Sequence, residues 1–94
     1  MSGLAPELAP PLAANPLRRL FVIEADGAAD ALLRVLEPFA LQQARLALVE
    51  MNTTGPSVCI RIEAEALCDQ RTDRLRRRLE ALPAVRTVAL GWRT

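Results

Sequence analysis

The sequence of 94 residues contains no histidine, no tyrosine and no lysine, and it has only two serines and two cysteines. The absence of histidine excludes Ser-His-Asp triads and imidazole metal ligands. Neither Ser2 nor Ser57 lies in the G-x-S-x-G sequence of a nucleophile elbow. We therefore expect a protein that is not an enzyme and that carries no metal and no cofactor.

The two cysteines, Cys59 and Cys68, are too few for a disulfide scaffold, and their spacing fits neither a CxxC redox pair nor a metal knuckle. We expect free thiols in a reducing compartment. The N-terminus lacks the basic stretch and the continuous apolar region of a signal peptide, and no window approaches a membrane span. The sequence thus predicts a cytoplasmic location and no membrane partner.

Charge of neither sign dominates, since 12 arginines face 11 acidic residues for a net charge of +1. Whole-molecule electrostatics therefore indicate neither nucleic acid nor membrane. The densest cluster, residues 71–78, contains oppositely charged pairs at i,i+4 spacing, which favours a solvated helix face. The alternative is a docking surface for an acidic partner protein, and nucleic acid would need a wider basic footprint. The candidate docking residues are Arg71, Arg74 and Arg78.

The chain divides at about residue 18. Residues 1–17 are rich in proline and alanine, and proline cannot join a sheet interior because it lacks a backbone donor. We interpret this stretch as an extended tail, or alternatively as a segment that lies along the domain surface or a partner. Residues 18–94 form one small domain, for which 94 residues give enough length.

The first half of the domain reads as a strand followed by a helix. Residues 20–23 are continuously apolar, which is typical of a central strand covered on both faces. Asp26 or Asp30 can cap the helix that follows, and Pro38 predicts that this helix ends near there or is distorted. Its apolar stripe has i, i+3, i+4, i+7 spacing and consists of Leu32, Val35, Leu36 and Phe39.

A period of two then predicts a hairpin. Residues 44–51 place Leu46 and Leu48 on one face and Ala47, Val49 and Met51 on the other. Residues 52–57 form a reversal. The second arm is a half-buried strand in which the inward positions are Val58, Ile60 and Ile62.

The remaining segment predicts a second helix and a last strand. Asp69 can cap this helix, Pro83 stops it, and residues 85–92 form the strand. The stripe of the helix is Leu75, Leu79 and Leu82. The order β-α-β-β-α-β is the α+β, ferredoxin-like arrangement: a four-stranded antiparallel sheet with two helices on one face and strands one and three in the centre.

This order places the second strand at an edge, although it is apolar on both faces. Unprotected apolar edges invite pairing, and a symmetric homodimer in which two such edges meet would form an eight-stranded sheet. The alternative is a strand that packs under a helix. The residues of this predicted dimer edge are Leu46, Ala47, Leu48, Val49 and Met51.

The chain resembles an ACT domain, the small regulatory module of amino-acid metabolism, over residues 20–90. Residues 31–39 (ALLRVLEPF) resemble the first helix of the family, residues 46–51 its second strand, and residues 73–88 its second helix with the return into the last strand. Within the family the likeness is nearest to the short small subunit of acetohydroxyacid (acetolactate) synthase. The resemblance implies a regulatory protein that activates a larger catalytic subunit and makes it sensitive to branched-chain amino acids.

Two positions depart from the family pattern, because Asp30 and Gln43 stand where the family favours glycine. The loop that opens the first helix can present N–H groups to the carboxylate of an amino-acid effector, against the second strand of a partner copy. Asp30 would pair with the ammonium of the ligand or repel its carboxylate; alternatively Asp26 and Asp30 are only caps. The predicted effector loop consists of Asp26, Gly27, Ala28, Ala29, Asp30 and Ala31.

Three functions follow from these observations. The first is a non-catalytic regulatory homodimer that modulates an enzyme of amino-acid metabolism, with or without an amino-acid effector. The second is a protein-interaction module that binds no ligand. The third is a small nucleic-acid binder that uses the arginine-rich second helix.

Overall fold

The computed structural model of the protein describes residues 18–27 and 29–92. The elements are β1 (Arg19–Asp26), α1 (Ala31–Leu41), β2 (Arg45–Thr54), β3 (Ser57–Glu65), α2 (Asp69–Glu80) and β4 (Val85–Trp92). The strands form one antiparallel sheet in the order β2-β3-β1-β4, which confirms the ferredoxin-like prediction with β1 and β3 in the centre. The predicted tail of residues 1–17, and Ala28, lie outside the described residues.

The hydrophobic core lies between the helices and one face of the sheet. Phe21 is paired with Ile62 and Ile23 with Ile60 across β1 and β3, and all of them are fully buried. The ring of Phe39 on α1 meets that of Phe21 edge to face, with centroids 5.0 Å apart. Each such side chain contributes about 1.5–3 kcal/mol when it leaves water. The helices add Val35, Phe39, Leu75 and Leu79 to this core.

The opposite face of the sheet, here called the helix-free face, differs from the prediction for β1. Residues 20–23 were expected to be covered on both faces, but both helices pack against the side that carries Phe21 and Ile23. Leu20 and Val22 alternate with these residues and are half-buried on the helix-free face. The continuous apolar run therefore contains more hydrophobic surface than the helices cover.

Helix α1 ends close to the place that the sequence predicts. It ends at Leu41, with Pro38 beginning its last turn, which is near the predicted end. The proline removes the hydrogen bond to the Arg34 carbonyl, and the helix continues only to Leu41 beyond it. Asp30 is the N-cap residue, but its side chain caps no backbone N–H, and Asp26 is not at the cap.

The β2–β3 hairpin corrects two further predictions. A β-bulge separates Leu46, opposite Ala64, from Leu48, opposite Glu63. Because Ala47 is the extra residue, Leu46 and Leu48 lie on opposite faces rather than on the same face. The strands continue through most of the predicted reversal, with Thr54 paired to Ser57 across a tight Gly55–Pro56 turn in which Gly55 has φ 59°.

The N-cap of helix α2 lies one residue before the predicted one, Asp69. Cys68 is the N-cap residue and Asp69 the first helical residue, where its carboxylate accepts a hydrogen bond from Arg19 at 2.7 Å. The helix ends at Glu80, and Leu82 packs against the core from the turn that follows. Neither helix of the described residues has the length and apolar character needed to cross a membrane.

Candidate dimer edge and effector loop

The predicted dimer edge lies on β2, and almost all of this strand is exposed. Only Leu48 is half-buried, and every other residue from Arg45 to Thr54 is exposed. Leu46, Val49 and Met51 are 40%, 40% and 48% exposed. The bulge places these three side chains together on the helix side of the sheet, since they lie opposite the buried Ala64, Ile62 and Ile60.

This arrangement is suited to strand pairing. An edge strand presents a row of backbone N–H and C=O groups that another strand can bond. Ten residues of β2 correspond to about 34 Å of edge at 3.4 Å per residue. Apart from Arg45 and Glu50, the strand carries no charged side chain that would repel a second copy.

The effector loop follows β1 and is tied to the residues that precede the two neighbouring strands, β3 and β4. The backbone N–H of Asp26 donates to the Ala84 carbonyl at 2.8 Å, and its carboxylate accepts from Arg86 at 2.7 Å. The N–H of Gly27 donates to the Pro56 carbonyl at 2.8 Å. A Cβ at Gly27 would come within 2.9 Å of that carbonyl oxygen, so the glycine is required by close backbone approach.

At the other end of the loop, Asp30 forms an ion pair with Arg34 of α1. Arg34 Nε donates to Asp30 Oδ2 at 2.5 Å, and this hydrogen bond lowers the pKa of Asp30 below its usual 3.8. The first-turn N–H groups of α1 therefore receive no side-chain cap from Asp30. Such N–H groups, at the positive end of a helix dipole, are suited to binding a carboxylate.

The turn between α1 and β2 explains the second departure from the family pattern. Gln43 has φ 56°, the left-handed conformation that glycine adopts most easily. Its N–H donates to the Ala40 carbonyl, and the N–H of Ala44 to the Phe39 carbonyl, both at 2.9 Å. These two bonds form a Schellman motif, so the backbone keeps the conformation although glutamine occupies the position.

The three predicted docking arginines do not behave alike. Arg71 is half-buried, and its guanidinium donates to the carbonyls of Gln42 and Ala66. It therefore joins the end of α1 to the chain that enters α2, whereas Arg74 and Arg78 are exposed on the outer side of α2. The predicted i,i+4 pairs are present, at 3.0 Å for Asp73–Arg77 and 3.1 Å for Arg76–Glu80.

Sequence reasoning missed two features of these sites. The tertiary bond of Arg71 joins residues 29 positions apart, which local spacing cannot reveal. The left-handed conformation of Gln43 was weakly indicated by the sequence, because Gln43 lies where the ACT family favours glycine. Within residues 18–27 and 29–92, no three His, Cys, Asp or Glu side chains come together in a way that could hold a metal ion.

Comparison with solved structures identifies proteins of the same fold. The ACT domain from GTP pyrophosphokinase of Chlorobium tepidum aligns with a TM-score of 0.71 at 9% identity, covering 80% of this chain and 97% of that domain. The C-terminal domain of the MgtC protein from Mycobacterium tuberculosis aligns with a TM-score of 0.66 at 11% identity, covering 79% and 84%.

A formyltetrahydrofolate deformylase from Pseudomonas putida KT2440 aligns with a TM-score of 0.60 at 13% identity. The alignment covers 81% of this chain but only 29% of that enzyme. No family model matches the sequence, and no curated protein matches it either. At these identities the comparisons show the fold, which is that of solved ACT domains.

Proposed function

We propose that this chain is a non-catalytic regulatory domain of the ACT family that forms a homodimer through β2 and modulates an enzyme of amino-acid metabolism. The observation that carries the proposal is the exposed apolar edge of β2, where Leu46, Val49 and Met51 lie outside the core. An exposed hydrophobic edge is a liability in a monomer and can serve as an interface in a dimer. The likeness to a solved ACT domain adds support at the level of the fold.

The dimer is tested by light scattering on the full chain at low micromolar concentration. We expect the mass of two chains. A monomer with β2 unpaired at every concentration would contradict this part of the proposal.

The second part of the proposal is an amino-acid effector held at the effector loop. The uncapped first turn of α1 would receive the carboxylate, and β2 of the partner copy would form the opposite wall. The ion pairs of Asp26 with Arg86 and of Asp30 with Arg34 reduce the local negative charge that would repel that carboxylate. Branched-chain amino acids are the first effectors to test, because the sequence resembles the small subunit of acetolactate synthase.

Isothermal calorimetry against each amino acid tests this site, with Asp30→Asn and Asp73→Asn as a matched pair. Both carboxylates pair with an arginine on a helix, but only Asp30 lies at the loop. For a ligand at the loop, Asp30→Asn changes the Kd, and Asp73→Asn leaves it unchanged. An effector whose Kd is the same in both variants binds elsewhere. If no amino acid gives a calorimetric signal, the proposal of effector binding by this chain is wrong.

The partner enzyme is tested by mixing the chain with a purified acetolactate synthase large subunit. Co-elution and a change in synthase rate are expected, and the chain alone should show no synthase activity. Separate elution with an unchanged rate would contradict this choice of enzyme while leaving the dimer intact. A cytoplasmic location belongs to the same proposal.

A protein-interaction module without a ligand is the second candidate function. Two observations favour it. Asp30 and Gln43 stand at the two positions where the family favours glycine, and the carboxylate of Asp30 forms an ion pair with Arg34. It predicts a stable dimer that gives no calorimetric response to any amino acid.

A further inference from the structure

The charged residues of helix α2 are sorted onto two opposite sides. One side carries all three acidic residues of the helix together with an arginine, because Asp69, Asp73, Arg76 and Glu80 recur at i, i+4, i+7 and i+11. Arg76 lies 2.5 Å from the Asp73 carboxylate and 3.1 Å from that of Glu80. Asp69 lies 2.7 Å from the guanidinium of Arg19. The acidic side chains of α2 are therefore all engaged with arginines.

The opposite side of α2 carries arginines at i, i+3 and i+7, here called the cationic stripe: Arg71, Arg74 and Arg78. The guanidinium of Arg71 donates to the carbonyls of Gln42 and Ala66. Arg74 and Arg78 are exposed, and within residues 18–27 and 29–92 they form no ion pair and no side-chain hydrogen bond. Like charges at i,i+4 destabilise a helix, so this pair of arginines does not serve the stability of the domain.

Exposed leucines of α1 border the cationic stripe. The bond of Arg71 to the Gln42 carbonyl fixes the stripe beside the end of α1, next to Leu41. Because β1 and β3 are antiparallel, the helices that follow them run in opposite directions, and the stripe continues from Leu41 toward the start of α1. Leu41 and Leu33 are 64% and 71% exposed, the highest values for large hydrophobic side chains in the described part of the chain. The surface thus combines free positive charge with exposed apolar area.

This surface is separate from the proposed dimer edge. Helix α2 packs against β4 and α1, and β4 and β2 are the opposite edges of the sheet. The homodimer that we propose through β2 therefore leaves the cationic stripe of each copy open. Such a dimer presents two of these surfaces, one on each copy.

We propose that the cationic stripe and Leu41 dock an acidic, leucine-bearing helix of the enzyme that this domain regulates, an inference that rests on the proposed regulatory function. Carboxylate residues at i,i+4 on such a helix have Cβ atoms about 6 Å apart, which is also the spacing of Arg74 and Arg78. Exposed leucines beside the charges suit a protein partner, since a phosphate group makes no apolar contact. Two free arginines are also too few for nucleic acid, which needs a wider basic footprint.

Two double variants of α2 provide a matched test. Arg74→Gln/Arg78→Gln and Arg76→Gln/Arg77→Gln each remove two positive charges from the same helix, but only the first pair lies on the cationic stripe. Circular dichroism checks that both variants fold. Surface plasmon resonance then measures their binding to the purified acetolactate synthase large subunit. We expect the first variant to raise the Kd about tenfold, because two exposed ion pairs are lost, and the second to leave it unchanged.

A labelled peptide separates this inference from the choice of enzyme. The probe is a helical peptide of about 18 residues with glutamates at i,i+4 and leucines on the adjoining side, and its binding is followed by fluorescence anisotropy. If the large subunit does not bind the native chain, that enzyme is the wrong partner, and the peptide decides. A Kd for the peptide that rises about tenfold only in Arg74→Gln/Arg78→Gln supports the docking surface.

Two results would overturn the docking surface and leave the regulatory function intact. The first is a large subunit that binds both double variants as tightly as the native chain. The second, where the large subunit does not bind, is a peptide that fails to bind the native chain or binds both double variants equally.

Discussion

The two edge strands of the sheet differ in what their apolar side chains contact. On β4, Val85 and Val88 pack against the core from the edge. On β2, no residue of the strand belongs to the core or packs against it within the described part of the chain, although the strand carries Leu46, Leu48, Val49 and Met51. The single chain therefore packs part of β4, Val85 and Val88, against its core but leaves Leu46, Val49 and Met51 of β2 exposed.

This difference shows that apolar patterning alone does not define a core. Both strands carry apolar residues, but folding of one chain half-buries Val85 and Val88 of β4 and leaves Leu46, Val49 and Met51 of β2 exposed. Since exposed apolar edges promote aggregation, these exposed residues of β2 are the basis of the interface that we propose. The predictions below test where the core ends and where the interface begins.

The largest effect is expected where β3 meets β2. Ile60 is fully buried, and Met51 lies directly opposite it but is 48% exposed. Ile60→Ala should lower the free energy of unfolding by about 3 kcal/mol through lost burial and a cavity. Met51→Ala should cost less than about 0.5 kcal/mol in urea unfolding of the dilute protein. Equal losses would place β2 inside the core.

The second prediction compares the two edges directly. Val49 on β2 and Leu90 on β4 are 40% and 45% exposed on the helix side of the sheet. Val49→Asp places a charge in each half of the proposed interface, so the dimer Kd should rise about a hundredfold, or about 2.7 kcal/mol. Leu90→Asp should leave it unchanged. Sedimentation velocity measures both, and a weaker dimer only in Leu90→Asp would assign the interface to β4.

The turns that lead into the two edges give the third prediction. The turn into β2 holds Gln43 at φ 56°, whereas the turn into β4 contains no positive φ. Gln43→Gly relieves the left-handed strain and should raise the free energy of unfolding by about 0.5–1 kcal/mol. The increase should appear in the thermal midpoint. A loss of stability would mean that the glutamine side chain contributes more than the strain costs.

The smallest effect concerns the helices that precede the two edges. The hydrogen bond from Arg34 lowers the pKa of Asp30, and that from Arg76 lowers the pKa of Asp73. Because these pKa values are depressed on folding, the stabilisation is complete above the usual 3.8 and is lost as the pH falls through the folded value. Arg34→Gln should return the pKa of Asp30 toward 3.8 in an NMR titration and leave Asp73 unchanged, while Arg76→Gln should do the reverse.

The sequence predicted the order of elements and most core residues, because periods of 3.6 and 2 report directly which residues share a face. Val35, Phe39, Leu75 and Leu79 were all assigned to the core from spacing alone. The i,i+4 ion pairs on α2 were also predicted, since helical geometry brings those side chains together.

Other features depend on contacts that a periodic pattern does not contain. The bulge at Ala47 changed the face of Leu46, and nothing in an alternating run marks where an extra residue enters. Asp30 has the residue type of an N-cap but pairs with Arg34 instead, since the two geometries compete for one carboxylate. Arg71, a candidate docking residue in the sequence, also joins two segments distant in sequence.

The bulge at Ala47 has a consequence for how many chains the edge can recruit. A bulge bends its strand and increases the local twist, so the start of β2 turns away from the line followed by the rest of the strand. Only residues 48–54, about 24 Å at 3.4 Å per residue, remain straight enough to align with a second copy. In the proposed dimer, two-fold pairing uses both β2 edges and leaves outside two β4 edges that are identical to each other but differ from β2, so no further chain can add through β2.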